Sequence, residues 1–218
     1  MKSKDKNLKL NTDGHFKVTI FGSSRIKKDD AIYKKVKSLA ELLGKSGFDV
    51  VTGGGPGLMQ AGNEGHSKGE KASNKKSHSI GIGIKLPWEQ KFNKDVEYEK
   101  EFNRFSNRLD EFMLLSNVVV VAPGGLGTLL ELFYTWQLVQ VHHICDIPII
   151  LLGEEWKGLL KWIRNEPLAK KYLDKEDYEM VFCVKTTKEA MKIINETYGH
   201  FKKGGKNFCL NYKKYKLK

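Results

Sequence analysis

The sequence predicts an α/β chain: a Rossmann-like doubly wound parallel sheet with helices on both faces. Three observations predict it. Apolar runs alternate with amphipathic stretches along most of the 218 residues. The runs are continuously apolar rather than alternating, as in strands buried on both faces. Several end in glycine-rich turns, and ligands of such sheets sit beyond the carboxyl ends of the strands.

Taken in order, residues 18–21 form a strand that ends in Gly22-Ser23-Ser24. Residues 31–43 place Ala31, Val36, Leu39, Ala40 and Leu43 at helical spacing, closed by Gly44 and Gly47. Residues 48–52 are the next strand and run into Gly53-Gly54-Gly55-Pro56-Gly57; the helix beginning at Leu58 is ended by Gly65 or Gly69. A third strand covers 80–86, where Gly81 and Gly83 mark the close approach of a ligand or another backbone. A helix over 102–115, a strand beginning at Val118, a helix from Thr128 to about 141, a strand over 147–152 and a helix over 156–163 follow. Segments 178–184 and 187–194 complete the pattern. The length suits one folded domain over 15–200, flanked by basic tails at 1–14 and 201–218.

The formal charge of +12 is concentrated in those tails. Residues 1–10 hold four lysines and one aspartate, and residues 197–218 hold seven lysines and no acid. The folded body is therefore close to neutral. Solvated ends explain the charge better than a nucleic-acid surface does, although tails that steer a polyanion remain the third functional class. No apolar run approaches a bilayer-spanning length and the start of the chain is polar, so the protein is expected to be cytoplasmic, with no membrane partner. Cys145, Cys183 and Cys209 lack paired spacing, which argues for buried or idle thiols in a reducing compartment and against a disulfide framework. No His, Cys or carboxylate set has metal-site spacing, and no metal is expected.

The most informative segment is Pro123-Gly124-Gly125-Leu126-Gly127-Thr128-Leu129-Leu130-Glu131, directly after Val118-Val119-Val120-Val121-Ala122. It reads as strand, glycine turn and helix start. Unpaired N–H groups at a helix start attract an anion, and glycine lets it come close. Thr128 adds a hydroxyl, and Glu131 lies about one turn on with a carboxylate. A tight turn needed only for packing is the competing explanation, and it weighs more at Gly53 to Gly57. That loop lacks both the dinucleotide spacing and the Gly-Lys-Ser/Thr ending of nucleoside triphosphatases, so hydride transfer and ATP hydrolysis lose support, while a phosphate or ribose cradle remains a good reading of it. Ser23 and Ser24 are either nucleotide donors or a helix cap. Phe133 and Trp136 fit a core or subunit interface better than a base stack.

Together the two glycine motifs, Gly53 to Met59 and Pro123 to Glu131, resemble those of the Lonely Guy family, cytokinin riboside 5'-monophosphate phosphoribohydrolases often labelled lysine decarboxylase-like. The likeness runs from Gly22-Ser23-Ser24 through Leu86-Pro87-Trp88-Glu89-Gln90 and Asn93 to the strand at 147. Arg108 stands where the family has the arginine of its Arg-Lys pair, fifteen residues before Pro123, and Glu131 matches its motif glutamate.

The resemblance implies hydrolysis of the N-glycosidic bond of a purine, adenine-type nucleoside 5'-monophosphate, with AMP or an N6-modified AMP as substrate and no cofactor. It implies catalytic roles for Arg108 and Glu131. Substrate and phosphate contacts are implied at Gly22, Ser23, Ser24, Gly54, Gly55, Gly57, Met59, Glu89, Asn93, Gly124, Gly125, Gly127 and Thr128. It also implies a homodimer or higher homo-oligomer, with the helix after Thr128 as a contact surface. Two positions depart from the family: Leu109 replaces the lysine of the pair, and Leu130 replaces an acid before the motif glutamate. Those departures favour an alternative, a non-catalytic nucleotide or phosphorylated-cofactor carrier on the same fold. Arg108 also has a plain reading, as a surface cation paired with Asp110 or Glu111, while Glu89 and Asn93 are either pocket residues or loop caps.

Overall fold

A computed structural model describes residues 14–87 and 91–204. The strands are β1 (Lys17–Phe21), β2 (Asp49–Thr52), β3 (Ser79–Ile84), β4 (Tyr98–Phe102), β5 (Val118–Val121), β6 (Ile149–Leu152) and β7 (Val181–Val184). The helices are α1 (Ala31–Ser46), α2 (Leu58–Lys71), α3 (Phe105–Leu115), α4 (Leu126–Gln140), α5 (Trp156–Ile163), α6 (Lys175–Tyr178) and α7 (Thr187–Lys203). All seven strands pair in parallel in the order β4-β3-β2-β1-β5-β6-β7. The chain winds outward from β1 to β4, returns to place β5 beside β1, and winds outward again. This is the predicted Rossmann-like doubly wound sheet.

Both faces are covered, which is why the strands read as unbroken apolar runs. Val18, Ile20, Val50, Val118, Val120 and Ile150 pack beneath α1, α2 and α7. Phe21, Val51, Ile80, Ile82, Val119 and Val121 pack on the other side with α3, α4 and α5. Neighbouring residues of one strand thus serve different cores.

Glycine positions correct several sequence-based boundaries. Gly44 does not close α1: a β-carbon there would stand 2.4 Å from the His66 carbonyl oxygen, so it is a contact point with α2, and the helix ends at Gly47 with φ 79°. Gly65 and Gly69 do not end α2 either. Their β-carbons would lie 2.2 Å from the Lys37 carbonyl and 2.0 Å from the Glu41 carbonyl. The two helices therefore approach backbone to backbone through these glycines, and α2 runs on to Lys71.

Strand β4 is a further correction. Its sequence, Tyr-Glu-Lys-Glu-Phe, carries three charges and lies at the sheet edge, exposed where an inner strand is buried. Charged edge strands discourage pairing with other chains, and for the same reason they lack the apolar signature of a strand. The reading of the cysteines as buried or idle thiols fails at Cys145, which is disulfide-bonded, and holds at Cys183, which is a free thiol, while Cys209 lies outside the described residues. Among the described residues no helix is long and apolar enough to cross a membrane.

Candidate active site

The loops after β1 and β5 part where the winding direction reverses, which is where such sheets bind ligands. A cavity of about 570 Å³ opens there. Gly22, Ser23 and Ser24 enter it from β1, Gly53, Gly54 and Gly55 from β2, and Met59 from α2. Gly125, Gly127, Thr128 and Glu131 come from the start of α4, and Arg108 from α3.

One end of the cavity suits an anion. Helix α4 has no side-chain cap at its start, and its first backbone bond runs from the Leu129 N–H to the Gly125 carbonyl at 3.0 Å. The N–H groups of the preceding turn therefore lack intrahelical acceptors. Gly125 and Gly127 face open space: a β-carbon at either meets nothing within 4 Å, and neither has positive φ. Packing inside the chain does not demand glycine there, whereas a closely approaching ligand does. Gly57 behaves oppositely. At φ 67° its β-carbon would stand 2.4 Å from the Ser23 carbonyl oxygen, so it serves the meeting of two loops.

Arg108 and Glu131 meet in the cavity wall. Nη1 of Arg108 donates to Oε1 of Glu131 at 3.1 Å, its Nε donates to the Ile82 carbonyl at 2.8 Å, and its guanidinium stacks over the Phe112 ring. Burial pushes the Glu131 carboxyl up to about 7, against the opposing pull of Arg108. Burial also lowers the Arg108 guanidinium from its usual value. The reading of Arg108 as a surface cation is therefore corrected. Asp110 is buried and accepts from the Tyr134 hydroxyl, and Glu111 pairs with Lys100 at 2.7 Å. Gly53 supports the arginine, since a β-carbon there would stand 2.6 Å from Nη2.

Of the residues singled out in the sequence, Arg108, Glu131, Gly22, Ser23, Ser24, Gly54, Gly55, Met59, Gly125, Gly127 and Thr128 line this cavity. Gly57, Gly124 and Asn93 do not. Gly124 gives room to the Thr128 hydroxyl, and the Asn93 amide donates to the Gly54 and Gly55 carbonyls at 2.9 and 3.0 Å, so Asn93 clamps the glycine loop. Glu89 lies outside the described residues. Ser23 and Ser24 do not cap a helix, because α1 begins only at Ala31; the Ser23 hydroxyl instead accepts from the Arg25 N–H at 3.1 Å. Trp136 is buried and donates to the Asp177 carbonyl, stacking on Phe133 away from the cavity lining. Leu109 is buried in the protein interior and Leu130 is exposed on α4; neither faces the cavity.

Sequence reasoning missed Arg25, Lys91, Phe92, Glu101 and Phe105 in the lining, while Gly53 belongs to the glycine loop it singled out. The Phe92 ring lies on a floor of glycines, within 2.3, 2.9 and 2.6 Å of where β-carbons of Gly54, Gly81 and Gly83 would be. The close approach expected at Gly81 and Gly83 is thus made by a side chain of this same chain. Among the described residues no group of three or more His, Cys, Asp or Glu side chains is arranged to hold a metal.

A family model described as "possible lysine decarboxylase" matches residues 59–194. No curated protein matches the chain. Among solved structures, the chain is similar to the molybdenum cofactor carrier protein of Chlamydomonas reinhardtii, at 17% identity and TM-score 0.61, over 85% of this chain and 99% of that one. It is similar to the molybdenum cofactor binding protein of the phototrophic bacterium Rippkaea orientalis, at 18% identity and TM-score 0.60, over 84% and 98%. A structural-genomics target aligns at 25% identity and TM-score 0.60, over 83% and 99%. At their level of identity, the two cofactor-binding proteins establish a shared fold.

Proposed function

The chain belongs to the possible lysine decarboxylase family, and from that premise we propose that it hydrolyses the N-glycosidic bond of a purine nucleoside 5'-monophosphate. The products are free base and ribose 5-phosphate. The observation that carries this reading is the buried Arg108–Glu131 pair, set in the same cavity as an uncapped helix start flanked by unconstrained glycines. The phosphate sits on the N–H groups of α4, with Thr128 and Ser23 adding hydroxyls. The ribose then lies over Gly53 to Gly55, beside the charged pair.

Cleavage leaves the electrons of the C1'–N bond on the departing base and positive charge on the ribose. The Glu131 carboxylate stabilises that charge and accepts a proton from the water whose oxygen bonds to C1', while the base takes up a proton from solvent and Glu131 returns its own to solvent, restoring the carboxylate. Arg108 holds Glu131 in place and keeps a fraction of it ionised near neutral pH. The reading draws on no cofactor. Decarboxylation through a Schiff base uses a desolvated lysine, whereas Lys91, the one lysine among the described lining residues, is exposed.

A second reading, a carrier of a nucleotide or phosphorylated cofactor, draws on the likeness to two molybdenum cofactor proteins. The positions of Leu109 and Leu130, both off the cavity, weaken the sequence argument for lost catalysis. A dimer is part of the proposal: Leu126, Leu130 and Phe133 expose a stripe along α4 next to the cavity mouth, an apolar surface that suits a second copy. The test is release of free base from AMP and N6-prenylated AMP, with Glu131→Gln and Arg108→Ala alongside. A loss of about 10² or more in either variant supports the hydrolase. Binding without base release in the wild type supports the carrier.

A further inference from the structure

The cavity extends well beyond the catalytic pair, from α4 to the edge strand. Crossing from β5 to β4 takes four strand spacings of about 4.8 Å each, and the lining follows that whole path, from Gly125 after β5 to Glu101 on β4. With phosphate at the start of α4 and ribose over Gly53 to Gly55, a nucleobase lies over β3 and meets β4 with its far edge. This placement rests on the reading proposed above. Phe92 supplies the flat face for the base, because its own ring is seated on Gly54, Gly81 and Gly83.

Glu101 supplies the edge contact. It is in register with Gly83, so its side chain leaves the sheet on the face that carries the Phe92 ring. Two carboxylates line the cavity among the described residues. Glu131 is held by Arg108, whereas Glu101 is exposed and has no hydrogen-bond or ion-pair partner among the described residues. A carboxylate offers two acceptor oxygens side by side and no donor. Its complement is a ring edge with two adjacent N–H donors.

We propose that Glu101 is the specificity-determining residue of this cavity and selects a 2-amino-4-oxo ring edge, the paired N–H and NH2 donors found in guanine and in pterins, over adenine. Adenine presents one amino donor beside a ring nitrogen that is itself an acceptor and faces the carboxylate unfavourably. Hypoxanthine keeps the ring N–H and lacks the amino group. The expected order for monophosphates is therefore GMP, then IMP, then AMP, which departs from the adenine-type substrate implied by family resemblance.

The test is calorimetric binding of GMP, IMP, AMP and neopterin monophosphate to the full chain and to Glu101→Gln and Glu101→Ala, with base release followed in parallel. The wild type is expected to bind GMP about 10-fold or more tightly than AMP, and both variants to bring that ratio to within about 2-fold, with unchanged melting temperatures. Neopterin monophosphate binding at least as well as GMP assigns the site to the pterin source; weaker binding assigns it to the nucleotide. Equal or tighter AMP binding in the wild type, an unchanged ratio in the variants, or no binding by any of the four overturns the inference. Glu101-dependent preference for GMP without base release overturns the hydrolase reading and leaves this one standing. Base release from AMP with no Glu101-dependent preference does the reverse.

Discussion

Arg108 and Glu131 face each other at 3.1 Å from two different helices, with side chains 10% and 11% exposed. Neither charge has bulk water to stabilise it. The pair is polarised further by the Ile82 carbonyl, which accepts from Arg108 Nε. Burial of this kind raises a carboxyl and lowers a cation together, and both directions are present here. A glutamate near 7 is poised to exchange a proton at neutral pH, which is what a base in a cavity needs.

The pH dependence of activity follows from that value. If Glu131 acts as the carboxylate, kcat rises with pH through about 7 and levels off above it. A pH–rate profile of base release checks this. A flat profile between pH 6 and 8 removes Glu131 from the base role, because a group titrating at about 7 changes its ionised fraction roughly tenfold across that window.

Removing the arginine should move that midpoint. Arg108→Ala takes away the charge and the hydrogen bond that lower the Glu131 carboxyl, so the kinetic midpoint shifts to higher pH and activity at pH 7 falls by about 10² or more. Arg108→Lys retains charge but loses the simultaneous contacts to Glu131, Ile82 and Phe112, and should recover only part of the loss. A variant that loses activity with its midpoint unmoved would show that Arg108 acts elsewhere than on Glu131.

Glycines near the cavity should separate into two classes. Gly127→Ala adds a β-carbon into open space within a helix, so stability holds or rises by about 0.5 to 1 kcal/mol while nucleotide affinity drops. Gly57→Ala meets the Ser23 carbonyl and needs a left-handed backbone, and should cost about 2 kcal/mol or more in stability. Denaturant melts paired with binding isotherms distinguish the two. Gly127→Ala with unchanged affinity would reduce the segment after β5 to a structural turn.

How far the fold and site were legible depended on what each residue answers to. The central strands were readable because both their faces are buried, and Val118 to Val121 could hardly be anything else. Glu131 was legible from its place one turn after the glycine motif and Arg108 only through the family resemblance, but their contact was not, since no local pattern joins α3 to α4. Strand β4 was missed because Glu99, Lys100 and Glu101 lie on an exposed edge, and with it went one wall of the cavity. Glycine was the least transparent residue. The same side-chain absence serves helix contact at Gly65, an aromatic ring at Gly81 and open space at Gly125, and only the neighbours in space tell them apart.

Stability against acid brings a second buried group into play at the opposite end of the sheet. His66 is fully enclosed, with Nε2 against the Phe48 carbonyl at 3.1 Å and the Ser77 hydroxyl at 3.0 Å, and burial lowers it to about 4 from 6.5. Its folded value lies below its unfolded one, so its contribution is present above pH 6.5 and is lost as pH falls toward 4. Glu131 works in the other direction: raised from 4.5 to about 7, it favours the folded state at low pH, and that advantage is lost as pH rises through 7. Between pH 4.5 and 6.5 the two oppose each other, each on the order of 2 to 4 kcal/mol across its full window. Glu131→Gln should therefore steepen the acid-side loss of stability, and His66→Gln should flatten it. The two effects should add, because the groups share no partner. Urea melts of both single variants and the double variant from pH 4 to 8 measure this directly; parallel stability curves for wild type and His66→Gln would mean that the imidazole is not held neutral in the folded protein.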